Sequence, residues 1–172
     1  MKKRQEHNDQ HDATSIQNTQ GLIMSNRRRA RELALCAYYA LELSGNSLEQ
    51  TVKDLITERN DVSKDIQDFA TSLVRLAHSN TSEIDNYIQN KAINWDFDRI
   101  AIIDKLIIRL AICEFLHFAD IPPKVSIDEA IEVSKKFSTE QSGKFINGIL
   151  DSVLIDLRKN EMISKKGRGL LE

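Results

Sequence analysis

Little in this sequence interrupts a helix. Six glycines and two prolines serve 172 residues, and both prolines fall side by side at Pro122-Pro123. Hairpin dipeptides are nearly absent: Asn-Gly occurs once, at Asn147-Gly148, inside an otherwise helical pattern. That scarcity favours an all-α domain over a sandwich or barrel. Cysteine is scarce too. Cys36 and Cys113 each lie in an apolar helical pattern with no Cys or His at zinc-ligand spacing, so both are expected to be buried small hydrophobes of a reducing compartment. No apolar core of a signal peptide opens the chain. The longest apolar stretch, Ile100 to Leu116, contains Asp104, Lys105, Arg109 and Glu114, which argues against a membrane span and for a cytoplasmic protein. Glycine-rich phosphate loops, a Gly-x-Ser-x-Gly elbow and Cys-x-x-Cys are all missing. His78 and His117 sit in helical patterns without a nucleophile beside them, and His7 and His11 fall where no helix is expected. Catalytic residues, metal and cofactor are therefore not expected.

What is present is charge, unevenly placed. Lys and Arg number 24 against 26 Asp and Glu. Four of those cations, Arg27, Arg28, Arg29 and Arg31, lie within five residues and run straight into an amphipathic helix. Without them the balance is 20 against 26, so a slightly acidic chain has gathered positive charge at one point. Guanidinium is planar, always charged and able to bond phosphate bidentately, so the cluster points to nucleic acid. A solvated helix start explains it poorly, because cations there oppose the macrodipole.

The length suits about one domain, able to bury roughly 70% of its unfolded surface without disulfide or metal. Residues 1–24 are polar and expected to be a disordered leader; Met24-Ser25-Asn26-Arg27 reads as a more natural start than Met1. Residues 25–160 form the helical domain, and 161–172 a basic flexible tail. A first helix is expected from Asn26 to Leu43, with Leu33, Cys36, Ala37, Ala40 and Leu41 as its apolar stripe and Gly45 as its left-handed cap. Ser47-Leu48-Glu49-Gln50 is a capping box. A helix from Ser63 breaks near Ser79 to Ser82 and resumes to Asn90. Asp96 is the expected N-cap of a central rod reaching Phe118, stapled by Trp95 and Ile100, with Arg109 paired to a carboxylate inside. Ser126-Ile127-Asp128-Glu129 reads as the capping box of the next helix, and a last helix spans Ser142 to Lys159. The total is a compact bundle of about seven helices.

Three segments together resemble one family, the transcription antitermination factor NusB. They are Arg27-Arg28-Arg29-Ala30-Arg31-Glu32 with Leu43-Ser44-Gly45-Asn46; Ile107-Ile108-Arg109-Leu110-Ala111-Ile112-Cys113-Glu114-Phe115; and Ile121-Pro122-Pro123-Lys124-Val125-Ser126-Ile127-Asp128-Glu129-Ala130-Ile131-Glu132 through Lys135-Lys136-Phe137 to Lys144-Phe145-Ile146-Asn147-Gly148-Ile149-Leu150-Asp151. The likeness covers residues 26–157, and the third segment is its specific part. Asp128, Ser134 and Ser138 depart from the family pattern, where Asn, Ala and Gly are usual; Ser138 leaves the connection between the last two helices open.

The resemblance implies two helical subdomains, no catalysis, and binding of boxA-type single-stranded RNA together with the small-subunit ribosomal protein that acts as NusE, within the RNA polymerase antitermination complex. The residue chemistry assigns Arg27, Arg28, Arg29 and Arg31 to the RNA backbone. The resemblance adds Lys144 and Phe145 to the RNA surface, core packing being the alternative for Phe145. It assigns Tyr39, Asp98 and Asp104 to the protein partner, where the alternatives are core for Tyr39 and a dipole-favoured carboxylate for Asp98. It also leaves room for a homodimer competing with partners. Two other functions stay open. One is a helical protein-interaction adaptor. The other is a stand-alone RNA-binding domain related to ribosomal RNA cytosine methyltransferases, which would need a methyl-donor domain that this chain is expected to lack.

Overall fold

The periodicity of apolar residues decides the architecture, and the computed structural model of residues 26–92 and 97–170 follows it. Seven helices account for the described residues, with no strand among them. Helix α1 spans residues 26–44 and buries Ala30, Leu33, Ala34, Ala37, Tyr38 and Leu41, an i, i+3, i+4, i+7 stripe. Cys36 falls off that stripe and is exposed, contrary to the expectation of burial; Cys113 is buried, and burial pushes its thiol pKa up. Gly45 ends α1 at φ +68°, the left-handed geometry glycine adopts without penalty.

Helix α2, Leu48–Val52, is capped by Ser47 Oγ accepting from Gln50 N–H at 3.2 Å and passes into a π turn, Lys53–Thr57, that the sequence pattern did not reveal. Helices α3, Lys64–Ser79, and α4, Thr81–Lys91, are separated at Asn80. The chain next forms a 3-10 turn at Phe97–Arg99, and α5 begins at Ile102 rather than at an Asp96 cap, because Ala101 is held extended. Trp95 and Asp96 themselves lie outside the described residues.

Helix α5, Ile102–His117, buries eleven of its residues and is the rod against which α3, α4, α6 and α7 pack. Arg109 on it is partnered as expected: Asp85 takes Nε and Nη2 at 2.7 and 2.8 Å, and Glu42 takes Nη1 at 3.0 Å.

Helix α6, Pro123–Phe137, starts four residues earlier than a Ser126 cap would place it. Proline is preorganised for the first helical position, where its missing N–H is no loss. Ser126 is thereby turned inward, and its Oγ donates to Glu114 Oε2 at 2.7 Å. Ser138, at φ −131° and ψ −156°, occupies extended backbone open to any residue, so serine stands there without strain. Helix α7, Ser142–Lys159, buries Ile146, Ile149, Leu150, Val153, Leu154 and Leu157. One continuous apolar core joins α1–α4 to α6 and α7 through α5. No described helix is long and apolar enough to cross a membrane.

Part of the C-terminal segment, Lys165 to Gly169, lies against the end of α5 and the turn that follows it. Lys165 Nζ donates to the carbonyls of Glu114 and Phe118 at 3.0 and 2.9 Å, closing the C-terminus of α5. Lys166 N–H donates to Ala119 O at 2.8 Å. At Gly169 a Cβ would lie 2.0 Å from that same carbonyl oxygen, so only glycine lets the tail come this close.

Candidate nucleic-acid interface

The arginines at the start of α1 radiate around the helix, and each meets something different. Arg27 lays its guanidinium over the Phe69 ring, 4.2 Å from the centroid. Arg28 Nε and Nη2 donate to Glu129 Oε2 and Oε1 at 3.0 and 2.8 Å, with Glu132 3.7 Å from Nη1. Arg29 Nη2 reaches the carbonyl and carboxylate of Asp61 at 3.1 and 3.4 Å. The hydrogen bond from Arg59 holds the Asp61 carboxyl down at about 2, so it is ionised at neutral pH. Carboxylates from α6 and from the turn before α3 thus offset the dipole penalty that the sequence raised.

Arg31 departs from its expected role. Its side chain is only 7% exposed, and Nε and Nη2 are bound by Glu114 Oε1 and Oε2 at 2.7 and 2.8 Å. Glu114 also accepts from Ser126, so a fully bonded carboxylate ties α1, α5 and α6 together. Arg31 therefore fixes the direction of the cluster from below. Arg28 and Arg29, 41% and 52% exposed, remain within reach of a ligand. Nearby, Lys135 pairs with Glu132 and Lys136 with Glu32.

A second basic region lies at the start of α7. Lys144 and Phe145, in the first turns of α7, line an open cleft of about 730 Å³ facing the Phe97–Arg99 turn. Lys144 is exposed; Phe145 is half-buried and packs partly on the core. Asp104 reaches the same cleft but is buried: Ser138 Oγ donates to its Oδ1 and Ser142 Oγ to its Oδ2, at 2.5 and 2.9 Å. It clamps the α6–α7 connection, and Ser138, the residue that departs from the family pattern, supplies one of the bonds. Asp98 is exposed on the 3-10 turn. Tyr39 is exposed on α1, whereas its neighbour Tyr38 is fully buried with its hydroxyl 2.8 Å from Thr81 Oγ1. Arg99 was missed: it lines the same cleft as Lys144, and nothing in its sequence neighbourhood marks it apart from other surface arginines.

Fold and surface together define the class: a small all-α protein with cations collected at a helix start and around an open cleft. Within it, the chain belongs to the NusB family, whose sequence profile matches residues 28–154. It is 42% identical over 152 residues to the transcription antitermination protein NusB of Chloroherpeton thalassium, covering 87% of this chain and 71% of that one. It is also 42% identical over 148 residues to the NusB of Salinibacter ruber, covering 86% and 92%. Among solved structures, the antitermination factors NusB and NusE in complex with dsRNA provide a match with TM-score 0.69 and 27% identity, covering 77% of this chain and 98% of that one.

Proposed function

We propose that the protein is a non-enzymatic transcription antitermination factor that binds boxA-type single-stranded RNA of ribosomal RNA operons, together with a small-subunit ribosomal protein acting as NusE. The pair would load onto nascent RNA in the cytoplasm and help hold RNA polymerase in a termination-resistant state. The observation that carries this reading is the half-exposed pair Arg28 and Arg29 at the start of α1, in a chain of the same family as the NusB of the NusB–NusE–dsRNA complex. Arg27, Arg28, Arg29 and Lys144 meet phosphates, Phe145 borders the bases, and Arg31 acts as the buried anchor of the cluster. Exposed Tyr39 and Asp98 meet the ribosomal protein, whose basic character their polarity and charge would suit, while Asp104 positions the α6–α7 connection beside them.

The test is fluorescence anisotropy with a short boxA-like RNA and a scrambled control, with and without the ribosomal protein, across a salt series. Four phosphate contacts give a log–log salt slope of about −3. Preference for the boxA-like RNA, strengthened by the ribosomal protein, is the expected result. Equal affinity for both RNAs would remove the sequence-specific part. No RNA binding in either condition would leave a helical adaptor.

A further inference from the structure

The C-terminal segment is fixed to the fold at several points around one residue that the fold does not use. Lys165 is half-buried, with its ammonium bonded to the carbonyls of Glu114 and Phe118. Gly167 turns the chain at φ +53°, and Gly169 brings bare backbone against Ala119 O, where a Cβ would lie 2.0 Å away. Between these two glycines, on the 3-10 turn Gly167–Leu170, stands Arg168. Its side chain is exposed and makes no hydrogen bond or ion pair among the described residues. Ordering the turn costs conformational entropy, and Arg168 forms no bond in the fold that offsets it.

The place to which Arg168 is brought is a second, independent sign. It lines an open groove of about 570 Å³ together with Arg27, Asp65, Asp68 and Phe69. Arg27 belongs to the α1 cluster and lies over the Phe69 ring. One residue registers the two segments: Glu114 binds Arg31 through its carboxylate and Lys165 through its carbonyl. The carboxylates of the groove have other duties. Asp68 pairs with Lys64 at 2.8 Å, and Asp65 lies in the first turn of α3, where the helix dipole favours a negative charge. A ligand here must bring an anion to the guanidiniums and N–H donors to the α3 wall.

We propose that the docked C-terminal segment forms part of the RNA site at α1, with Arg168 as a phosphate contact that the segment sets on the same groove as Arg27. The assignment rests on the RNA-binding reading above. It adds a stretch of chain beyond residues 28–154, the part matched by the family profile. RNA fits better than an acidic side chain because a nucleotide carries both a phosphate for arginine and a base edge with N–H donors for carboxylates. Lys165 and Gly169 are positioning residues: they touch no RNA and hold the turn that aims Arg168.

The experiment compares the full chain with Arg168→Gln, Lys166→Gln and Gly169→Ala, using the boxA-like RNA as probe across a salt series and thermal unfolding by circular dichroism as fold control. Arg168→Gln lowers affinity roughly 5-fold at about 0.1 M salt and takes about 0.7 off the salt slope, with melting unchanged. Lys166→Gln removes the same charge from the same segment but not from the groove, and its effect stays under about 2-fold. Gly169→Ala keeps every charge yet loses most of the same affinity, because the turn can no longer sit against Ala119; adding it to Arg168→Gln weakens binding no further. Should Gly169→Ala melt far below wild type, Arg168→Gln against Lys166→Gln carries the test, since neither side chain is bonded among the described residues. Equal losses from those two would mean diffuse attraction by the tail and overturn the assignment. If Arg28→Glu with Arg29→Glu abolishes RNA binding while Arg168→Gln binds like wild type, the tail assignment alone falls. If Arg168→Gln keeps RNA affinity but loses the ribosomal protein, the groove seats a protein and the proposal is wrong. If wild type binds no RNA, both readings fall.

Discussion

The two basic regions differ in how much of their charge is available. At the start of α1 the arginines are dense in sequence and engaged in structure: Arg27 on an aromatic ring, Arg28 on Glu129, Arg29 on Asp61, Arg31 buried on Glu114. At the α7 cleft the cations are scattered in sequence, yet Arg99 and Lys144 meet no carboxylate among the described residues. Density of arginine in a sequence is thus a poor measure of free positive potential. Phosphate arriving at α1 must displace protein carboxylates, whereas Arg99 and Lys144 at the cleft have no such carboxylate to give up among the described residues. The α1 region is prepositioned and selective about geometry; the cleft is open and supplies attraction.

The largest way to break this contrast is to remove the carboxylate that makes Arg31 structural. Glu114→Ala leaves a guanidinium buried without its partner and should cost about 3–5 kcal/mol in urea unfolding. Replacing both partners, Arg31→Met with Glu114→Met, should avoid most of that loss, because an apolar pair of similar volume is often no worse than the ion pair. If Arg31 instead reached RNA in the folded protein, Arg31→Met alone would weaken binding with little effect on stability. A second effect, of about 2 kcal/mol, is expected from Asp104→Ala, which strips two hydroxyl donors of a charged acceptor. Unchanged stability with a lost ribosomal partner would return Asp104 to direct contact.

These residues also mark where the sequence could and could not be read. Helix periodicity, the Gly45 cap, the Ser47 box and the inward pairing of Arg109 were legible, because each follows from spacing and from the expense of burying an unpaired charge. The Ser126 box misled, since Pro123 three residues earlier is an equally good helix start and a serine can serve the core instead of the cap. Cys36 and Tyr39 show the limit of an apolar stripe: one residue of rotation, 100°, separates buried Tyr38 from exposed Tyr39. The docked tail was illegible for another reason. Lys165, Lys166 and Gly169 find their partners at the end of α5 and on the turn after it, fifty residues away for Gly169 and Ala119, and no local pattern encodes that meeting. For the candidate site, arginine density marked the α1 cluster; it could not separate Arg31 from its neighbours or find Arg99.

The smallest effect bears most directly on the comparison. If carboxylates at α1 compete with phosphate, then neutralising one should strengthen RNA binding there, while among the described residues no carboxylate is paired with Arg99 or Lys144 at the cleft. Glu132 is the one to change, because it is partly exposed, lies 3.7 Å from Arg28, and is not the buried carboxylate that orients it. The hydrogen bond from Lys135, with the nearby charge of Arg28, lowers its pKa, so it is ionised at neutral pH. A depressed carboxyl pKa contributes stability that is present above the ordinary glutamate value and is lost as pH falls through the lowered one. Glu132→Gln should therefore flatten the acid limb of a stability–pH profile slightly and leave the neutral-pH melting temperature close to wild type. RNA affinity should rise roughly threefold at low salt and converge with wild type at high salt, as an exposed pair is screened. An affinity that falls on this substitution would mean Glu132 holds Arg28 in its binding pose, and the α1 carboxylates would then be positioning groups and not competitors.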